Sequence, residues 1–299
     1  MTHDYFLNNF QNKKDKKTFN KRDQDLQNNK LKYKKPEDKY KLWLEKQFII
    51  PLAREKNSTR NNIEKIIVDF YPQQQDLESL PPNSTLIEIS FTLKKPYTSK
   101  DEGEFNVIDN KIFENPIVRD KFTGLPMVKP TTWKGHLRFA AERVECDKER
   151  KKIIIKRLFG SEPEEKENPL KGRLYFFPTF FNKEAEKEVI TPLKRDTRTP
   201  ARGPIPFEVM KPSKEGKFYL LYFPYPKGDN YQESQVDEDL EFLSKSLELM
   251  FYSYGFSAKK TSGFGVIERL KDDNVYVFPS KKKDKFSNLY KNLENNSQE

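Results

Sequence analysis

Cysteine and histidine are nearly missing from this chain. Its 299 residues include one cysteine, Cys146, and two histidines, His3 and His136. One thiol cannot form an internal disulfide, and a zinc site built from cysteines needs several thiolates. Two histidines also argue against a histidine metal site or a catalytic triad. We expect Cys146 to be buried and unreactive, because it follows the apolar face of a predicted helix.

Long apolar runs are missing from the sequence as well. None approaches the ~18 residues needed to span a bilayer, and the N-terminus lacks the apolar core of a secretory signal. No G-x-G-x-x-G or G-x-x-x-x-G-K-[ST] string follows a predicted strand, so nucleotide binding of those classes has no support. We therefore predict a cytoplasmic protein that does not contact a membrane.

Positive charge and aromatic residues are abundant. Lys and Arg number 56 against 46 Asp and Glu, which gives a net charge of +10, and 13% of residues are aromatic. An excess of positive charge favours a polyanionic partner such as nucleic acid, although a lysine-rich proteome would produce the same balance. Disordered chains are poor in aromatics, so most of this chain is expected to fold around a core.

The composition divides the chain into three parts. Residues 1–40 hold eleven Lys or Arg against six Asp or Glu and few apolar residues, which predicts a disordered basic arm. Residues 41–280 are predicted to form one folded domain. The Lys- and Asn-rich residues 281–299 are predicted to be a frayed basic tail.

The hydrophobic periodicity of the central part predicts an α+β fold. Helical spacing is found over 57–71, 131–146, 149–159 and 236–254, and strand patterns over 85–93, 105–108, 116–119, 173–177, 205–210, 217–223, 266–270 and 275–278. This order is typical of a ferredoxin-like β-α-β-β-α-β core with an antiparallel sheet and long inserted loops. The connection over 94–130 is unusually long, and loops of that length are often functional.

The start of the second predicted helix has the composition of an anion site. Thr131 and Thr132 are predicted to cap it, Lys134 and Arg138 lie four residues apart, and Gly135 is in its first turns. Exposed amides, the positive end of the helix dipole and two cations on one face favour phosphate. Gly135 weakens a helix by about 1 kcal/mol relative to alanine, so we expect something to pack closely there. An ordinary capped helix with solvated cations is the alternative.

The loop over 255–265 is rich in glycine, hydroxyls and lysine. Backbone amides of such loops can surround phosphate oxygens, and a simple turn after a helix is the alternative. The candidate RNA-binding residues here are Lys259, Lys260, Ser262, Gly263 and Gly265.

The loop over 191–203 places three arginines among prolines and threonines. Arg195, Arg198 and Arg202 are therefore candidates for contacts with an RNA backbone, and a solvated connector is the alternative.

Acidic residues are concentrated in the long connection over 94–130. Carboxylates such as Asp109 and Glu114 near a bound phosphodiester could hold Mg²⁺ or act as a general base. Acidic side chains on a loop that are only solvated are the alternative.

One segment carries a family resemblance. Residues 115–138 read NPIVRDKFTGLPMVKPTTWKGHLR, which resembles the hallmark string of the RAMP superfamily of CRISPR-associated proteins. The T-S-G-F-G at 261–265 resembles the glycine-rich loop of that family, and the R-L-Y-F-F at 173–177 also follows the family order. The resemblance covers about residues 85–270.

The resemblance implies a fold and a function. It implies a ferredoxin-like, RRM-like core over 41–280, in a guide-RNA-binding subunit of a type III CRISPR effector ribonucleoprotein used in antiviral defence. The implied partners are guide RNA, complementary target RNA and other effector subunits. Lys134, Arg138 and the loop at 263–265 would bind the guide backbone. Trp133, where leucine is common, would stack on a base or fill the core.

The resemblance also implies two alternatives to RNA binding alone. Target-cleaving members of the family use an aspartate with a divalent metal, and that position is Glu114 here, with Asp109 five residues earlier as a substitute. A metal-dependent target-RNA endoribonuclease subunit is one alternative, and Mg²⁺ is expected only in that case. A non-catalytic structural or capping subunit is the other.

Overall fold

The computed structural model describes most of residues 71–291. Within that range it leaves out 100–105, 109–110, 114, 122, 163–168, 192–193, 195, 198, 202, 228–230 and 260–261. The predicted basic arm over 1–40 and the predicted helix over 57–71, apart from Tyr71, therefore lie outside the described residues. No helix in the described ranges is long and apolar enough to cross a membrane.

The described part of the chain alternates helices and short strands. In chain order its elements are α1 (Gln74–Glu78), β1 (Thr85–Thr92), β2 (Asn106–Ile108), β3 (Lys111–Phe113), β4 (Met127–Val128), α2 (Pro130–Ala141), α3 (Lys148–Phe159), β5 (Leu174–Phe176), β6 (Thr179–Phe180), β7 (Glu186–Ile190), β8 (Ile205–Val209), β9 (Glu215–Tyr222), α4 (Ser234–Glu248), a π-helical segment (Leu249–Tyr254), a 3-10 turn (Asp272–Asn274), β10 (Val275–Phe278) and a 3-10 segment (Ser280–Leu289).

Four of these strands form one antiparallel sheet in the order β10-β1-β9-β5. Ile87 of β1 lies opposite Val277 of β10 and Leu220 of β9. Between β1 and β5 the chain forms α2, and between β9 and β10 it forms α4; these two helices pack against each other. The predicted α+β class with an antiparallel sheet is confirmed.

The main core lies between this sheet and the two helices, and Trp133 is at its centre. Its side chain is fully buried, and its ring centroid lies 4.8 Å from that of Phe218 and 4.3 Å from that of Phe256. The indole Nε1 donates a hydrogen bond of 3.1 Å to the Thr179 hydroxyl, so its one polar group is satisfied. Of the two roles predicted for Trp133, the structure supports core filling.

A smaller cluster covers part of the opposite face of the sheet. Tyr71 stacks on Tyr219 with a centroid separation of 4.2 Å, and Leu77 of α1 and Leu86 of β1 are buried beside them. The Tyr71 hydroxyl accepts a hydrogen bond from the amide of Phe180. Burial raises the pKa of Tyr71 to about 12. The segment before β1 is therefore packed onto the sheet.

Two predicted strands are not strands. Residues 116–119 and 266–270 form only isolated bridges, Arg119 with Pro126 and Ile267 with Leu93. Their apolar residues are buried in irregular segments, a burial pattern that single-sequence periodicity cannot distinguish from a strand. The prediction that Cys146 is buried is also wrong. Helix α2 ends at Ala141, before this residue, and the cysteine is exposed.

The predicted frayed tail is wrong for residues 281–291. Phe286 and Leu289 of the 3-10 segment are fully buried, and the segment packs on α4 and β10. Lys285 donates a 2.8 Å hydrogen bond to Glu241, and Asn288 donates one of 2.7 Å to Glu248. Two apolar residues three positions apart are enough to hold this otherwise polar segment in place.

A buried ionic network joins four parts of the fold at Asp239 of α4. One carboxylate oxygen accepts hydrogen bonds from Nε (2.9 Å) and Nη2 (2.6 Å) of Arg157 in α3. The other accepts from Arg173, next to β5, at 2.7 Å and from the Tyr222 hydroxyl of β9 at 2.9 Å. Burial opposes the charged form of Arg157, but the hydrogen bonds and charge of Asp239 raise the pKa of its guanidinium. Burial and the same charge also raise the pKa of Tyr222.

We predict that Asp239→Ala strongly destabilises the protein. The substitution leaves the guanidinium groups of Arg157 and Arg173 without their shared counter-ion, and breaking a buried ion pair in this way costs about 3–5 kcal/mol. Urea unfolding of the full chain measures the change. Asp273→Ala removes an exposed aspartate and should shift the free energy of unfolding by less than about 0.5 kcal/mol. Equal urea midpoints for the two variants would contradict the prediction.

Candidate functional site

The start of α2 differs from the sequence prediction in one respect. Pro130 is the first helical residue and Lys129 the residue before it, with no side-chain cap. Proline suits this position, since its φ is preset for a helix and its missing N–H would have no partner there. Thr131 and Thr132 therefore lie inside the first turn and are not the predicted caps.

One face of α2 is exposed to solvent. Thr131, Lys134 and Gly135 are exposed, while Trp133 and Leu137 on the other side are buried. Residues three and four positions apart share a helix face, so the hydroxyl and the ammonium lie side by side. This part of the prediction is consistent with the structure.

Gly135 has open space in front of it. A Cβ built at this position would meet nothing within 4 Å, so no part of the described chain is the close neighbour that we expected at this glycine. Gly172 is the opposite case, since a Cβ there would lie 2.5 Å from the carbonyl carbon of Phe159. The fold therefore explains the glycine at 172 and does not explain the one at 135.

Arg138 is partly buried and surrounded by carboxylates. Its Nη2 contacts Glu162, and its Nε lies 3.5 Å from Glu142 one turn later. About a quarter of its side chain is exposed (24%). A phosphate would have to compete with both carboxylates for this guanidinium, so Arg138 is a weaker anion ligand than the sequence suggests.

Lys134 lines a groove of about 260 Å³ between the start of α2 and strand β5. Lys171 lies on the opposite wall, and its ammonium is 5.0 Å from the centroid of the Tyr175 ring. Among the described residues no carboxylate lines this groove, whose walls are formed by Pro130, Thr131, Lys134, Lys171, Gly172, Leu174, Tyr175 and Phe176. We call this surface the α2–β5 groove.

The sequence analysis missed Lys171 and Tyr175. They are close to Lys134 only because α2 packs beside β5, at the edge of the sheet. A usable clue was present in the dipeptide Lys171-Gly172 directly before a strand with two aromatic residues, since a glycine in such a place often marks a close backbone approach.

The glycine-rich loop holds itself together. Gly255 (φ +71°) and Gly265 (φ +80°) adopt the left-handed region, and a Cβ on Gly265 would lie 2.7 Å from the amide nitrogen of Ser257. Several of its amides donate to carbonyls of the chain: Phe256 to Gly265, Ala258 to Thr98, Ser262 and Phe264 to Lys259, and Gly265 to Pro96. For these amides the predicted phosphate cradle is wrong.

Side chains of the glycine-rich loop remain accessible. Ser262 is exposed, and the ammonium of Lys259 lies 4.9 Å from the centroid of the Phe207 ring. The loop reaches α2 through the core, where Phe256 packs on Trp133. Both segments therefore lie where β1 ends and β9 begins. Lys259, Ser262 and Gly263 stay predicted RNA contacts.

The Arg and Asp of the family-like string serve the fold. Arg119 donates to the fully buried Glu208 at 2.9 Å, and the other carboxylate oxygen of Glu208 accepts from the amide of Ile117 at 3.0 Å. Asp120 accepts from the amide of Thr123 at 2.7 Å and so closes the turn before β4. These contacts hold the chain that leads into α2.

Several predicted site residues lie outside the described residues, and their roles stay predictions. They are Asp109, Glu114, Arg195, Arg198, Arg202 and Lys260. In the described ranges no group of three or more His, Cys, Asp or Glu side chains is placed to hold a metal ion.

Comparison with solved structures identifies distant similarities. The chain is similar to one in the structure described as "Cryo-EM structure of the Type III-B Cmr-beta bound to cognate target RNA", with 18% identity, a TM-score of 0.48 and coverage of 74% of this chain and 66% of that one. A chain of a "CRISPR RNA-guided surveillance complex" has 13% identity, a TM-score of 0.41 and coverage of 62% and 65%. The matches thus span just under two thirds of the length of each of those two chains.

Comparison with protein families is more specific. No curated protein matches the sequence. The model of the RAMP superfamily, however, matches residues 107–268, which is more than half of the chain and includes the string around α2 and the glycine-rich loop. This protein therefore belongs to the RAMP superfamily.

Proposed function

We propose that this protein is a guide-RNA-binding subunit of a type III CRISPR effector ribonucleoprotein. The observation that carries the proposal is the α2–β5 groove, which is lined by Lys134 of the family string and by Lys171, and by no carboxylate of the described chain. Two ammonium groups that line the same groove favour binding of a phosphodiester backbone. Contacts of this kind do not depend on the base sequence of the RNA. The net charge of +10 adds a long-range attraction for the same ligand.

We also propose that the core is ferredoxin-like. The supporting observation is the order of the elements, β1, α2, β5, β9, α4 and β10, which reads β-α-β-β-α-β once helix α3 and the short inserted strands are set aside. Numbered along that core, the sheet runs fourth, first, third, second, and all its pairs are antiparallel. RNA-recognition domains with four-stranded sheets are built in this way.

The contacts at α2 are proposed to differ in strength. Lys134 and the Thr131 hydroxyl contact phosphate oxygens, while Arg138 contributes less because Glu142 and Glu162 already surround it. Gly135 lets the RNA backbone approach the helix, since no part of the described chain fills that space. Complementary target RNA and other effector subunits are proposed as further partners, which gives the protein its role in antiviral defence.

We predict that Lys134→Ala weakens RNA binding more than Arg138→Ala does. Loss of one phosphate contact should reduce the slope of log affinity against log salt by about 0.7–1 and lower affinity at low salt. Fluorescence anisotropy of the full chain with labelled repeat-derived RNA, over a series of salt concentrations, measures both quantities. Arg138→Ala should leave most of the slope unchanged.

Lys152→Ala is the matched control for this experiment. It removes an exposed lysine from α3, where Glu149 already pairs with it at 3.0 Å, so RNA affinity should stay close to that of the unmodified chain. Affinity of Lys134→Ala equal to this control would reject the α2–β5 groove as the RNA site. Retention of neither repeat-derived nor random RNA by the unmodified chain would reject RNA binding altogether.

We predict that Gly135→Ala stabilises the free protein and weakens RNA binding. Alanine in a helix interior is favoured over glycine by about 0.5–1 kcal/mol, and the added methyl meets nothing in the described chain. The same methyl would stand between the helix and an RNA backbone, so affinity should fall several-fold. Thermal unfolding and anisotropy on the same samples test the two effects. A stabilised variant with unchanged affinity would show that RNA does not approach the helix at this residue.

A further inference from the structure

A row of aromatic rings continues from the α2–β5 groove along the edge of the sheet. Tyr175 meets Phe223 edge to face with centroids 6.0 Å apart, and Phe223 lies 5.4 Å from Tyr225. Lysines flank both ends: Lys171 lies 5.0 Å from the Tyr175 ring and Lys227 lies 5.2 Å from the Tyr225 ring. All three rings are partly exposed. We call these three aromatic residues the edge strip.

The edge strip is held by the buried network around Asp239. The amide of Phe223 donates to the carbonyl of Arg173 at 2.8 Å, and Nη2 of Arg173 donates to the carbonyl of Lys227 at 3.3 Å. Arg173 is itself fixed by its 2.7 Å hydrogen bond to Asp239. Arg173 therefore holds the middle of the strip through its backbone carbonyl, and the chain two residues after Tyr225 through its buried side chain. These bonds fix the backbone that carries Phe223 and Tyr225 before any ligand binds.

We propose that the edge strip stacks bases of single-stranded RNA whose phosphates lie against Lys171 and Lys227. This inference rests on the proposed function, because it extends the RNA path from Lys134 across the α2–β5 groove onto the strip. Aromatic rings bind bases of any sequence through their faces, and the lysines at the two ends of the strip would neutralise the backbone. Tyr175 belongs to both surfaces, since it lines the groove and begins the strip.

The lysines that flank the row of rings favour RNA over a protein partner. The fully buried core of a protein interface is depleted of charged residues, whereas here an ammonium lies within about 5 Å of each outer ring. The described walls of the groove carry two lysines and no carboxylate, which suits a polyanion. A lysine displaced from a ring by a base can turn to the adjacent phosphate, so both groups of the nucleotide are satisfied.

The experiment compares Tyr175→Ala with Tyr276→Ala in the full chain. Tyr276 is a 45% exposed tyrosine on β10, at the opposite edge of the same sheet, and is the matched control. The probe is a single-stranded RNA of about 16 nucleotides, with normal or abasic residues. We expect Tyr175→Ala to bind normal RNA about tenfold more weakly with an unchanged salt slope. Tyr175→Phe should keep the affinity, and Tyr276→Ala should not change it.

The abasic probe separates stacking from charge. Tyr175→Ala and the unmodified chain should bind the abasic RNA with equal affinity, because this RNA has no bases that could stack on the Tyr175 ring. If Tyr175→Ala fails to fold, Tyr175→Leu retains the apolar volume without a ring, and we expect the same tenfold loss.

Three outcomes would overturn the inference. The first is unchanged affinity of Tyr175→Ala for normal RNA while Lys134→Ala loses affinity, which leaves the proposed function intact. The second is an unchanged RNA affinity with loss of binding to a neighbouring effector subunit, which would make the strip a protein interface. The third is failure of the unmodified chain to bind any RNA, in which case the proposed function fails as well.

Discussion

Asp239 is the constraint on which the rest of the structure depends. Its carboxylate is fully buried and ties α3, the segment before β5, β9 and α4 to one another through Arg157, Arg173 and Tyr222. Burying one carboxylate is unfavourable unless every lone pair has a donor, and here each oxygen has two hydrogen bonds. The position of β5 beside α2, and with it the α2–β5 groove, follows from this network. The lysine side chains of the α2–β5 groove are therefore attached to backbone that this buried network holds in place.

The parts of the fold with a clear period were predictable from the sequence. The alternation in β1 and the helical spacing of α3 gave both elements within a residue or two, because their buried faces are regular. Irregular buried segments such as 266–270 were predicted as strands, since apolar content without a period does not fix backbone geometry. The 3-10 segment at Ser280–Leu289 was missed because only two of its side chains are buried, in a run of polar residues.

The candidate site was only half visible in the sequence. Lys134 and its helix face could be placed by helix geometry alone, since they lie within four residues of one another. Lys171 and Tyr175 could not, because they join that face through the packing of α2 beside β5. The ion pair between Arg138 and Glu162 could not be predicted either, because it also depends on how distant parts of the chain pack together. The glycines were misinterpreted in both directions. Gly255 and Gly265, in the predicted phosphate loop, serve close backbone packing, whereas the described part of the fold gives no packing reason for Gly135.

The small cluster around Tyr71 restricts where a nucleic-acid strand can lie on this protein. Four-stranded sheets of RNA-recognition domains display their aromatic residues on the open face. Here the chain before β1 occupies the middle of that face, with Tyr71 stacked on Tyr219 and Leu77 beside Leu86. Tyr71 thus occupies the position on Tyr219 where a base could otherwise stack. RNA bound as proposed would therefore lie along the edge of the sheet and not across its open face.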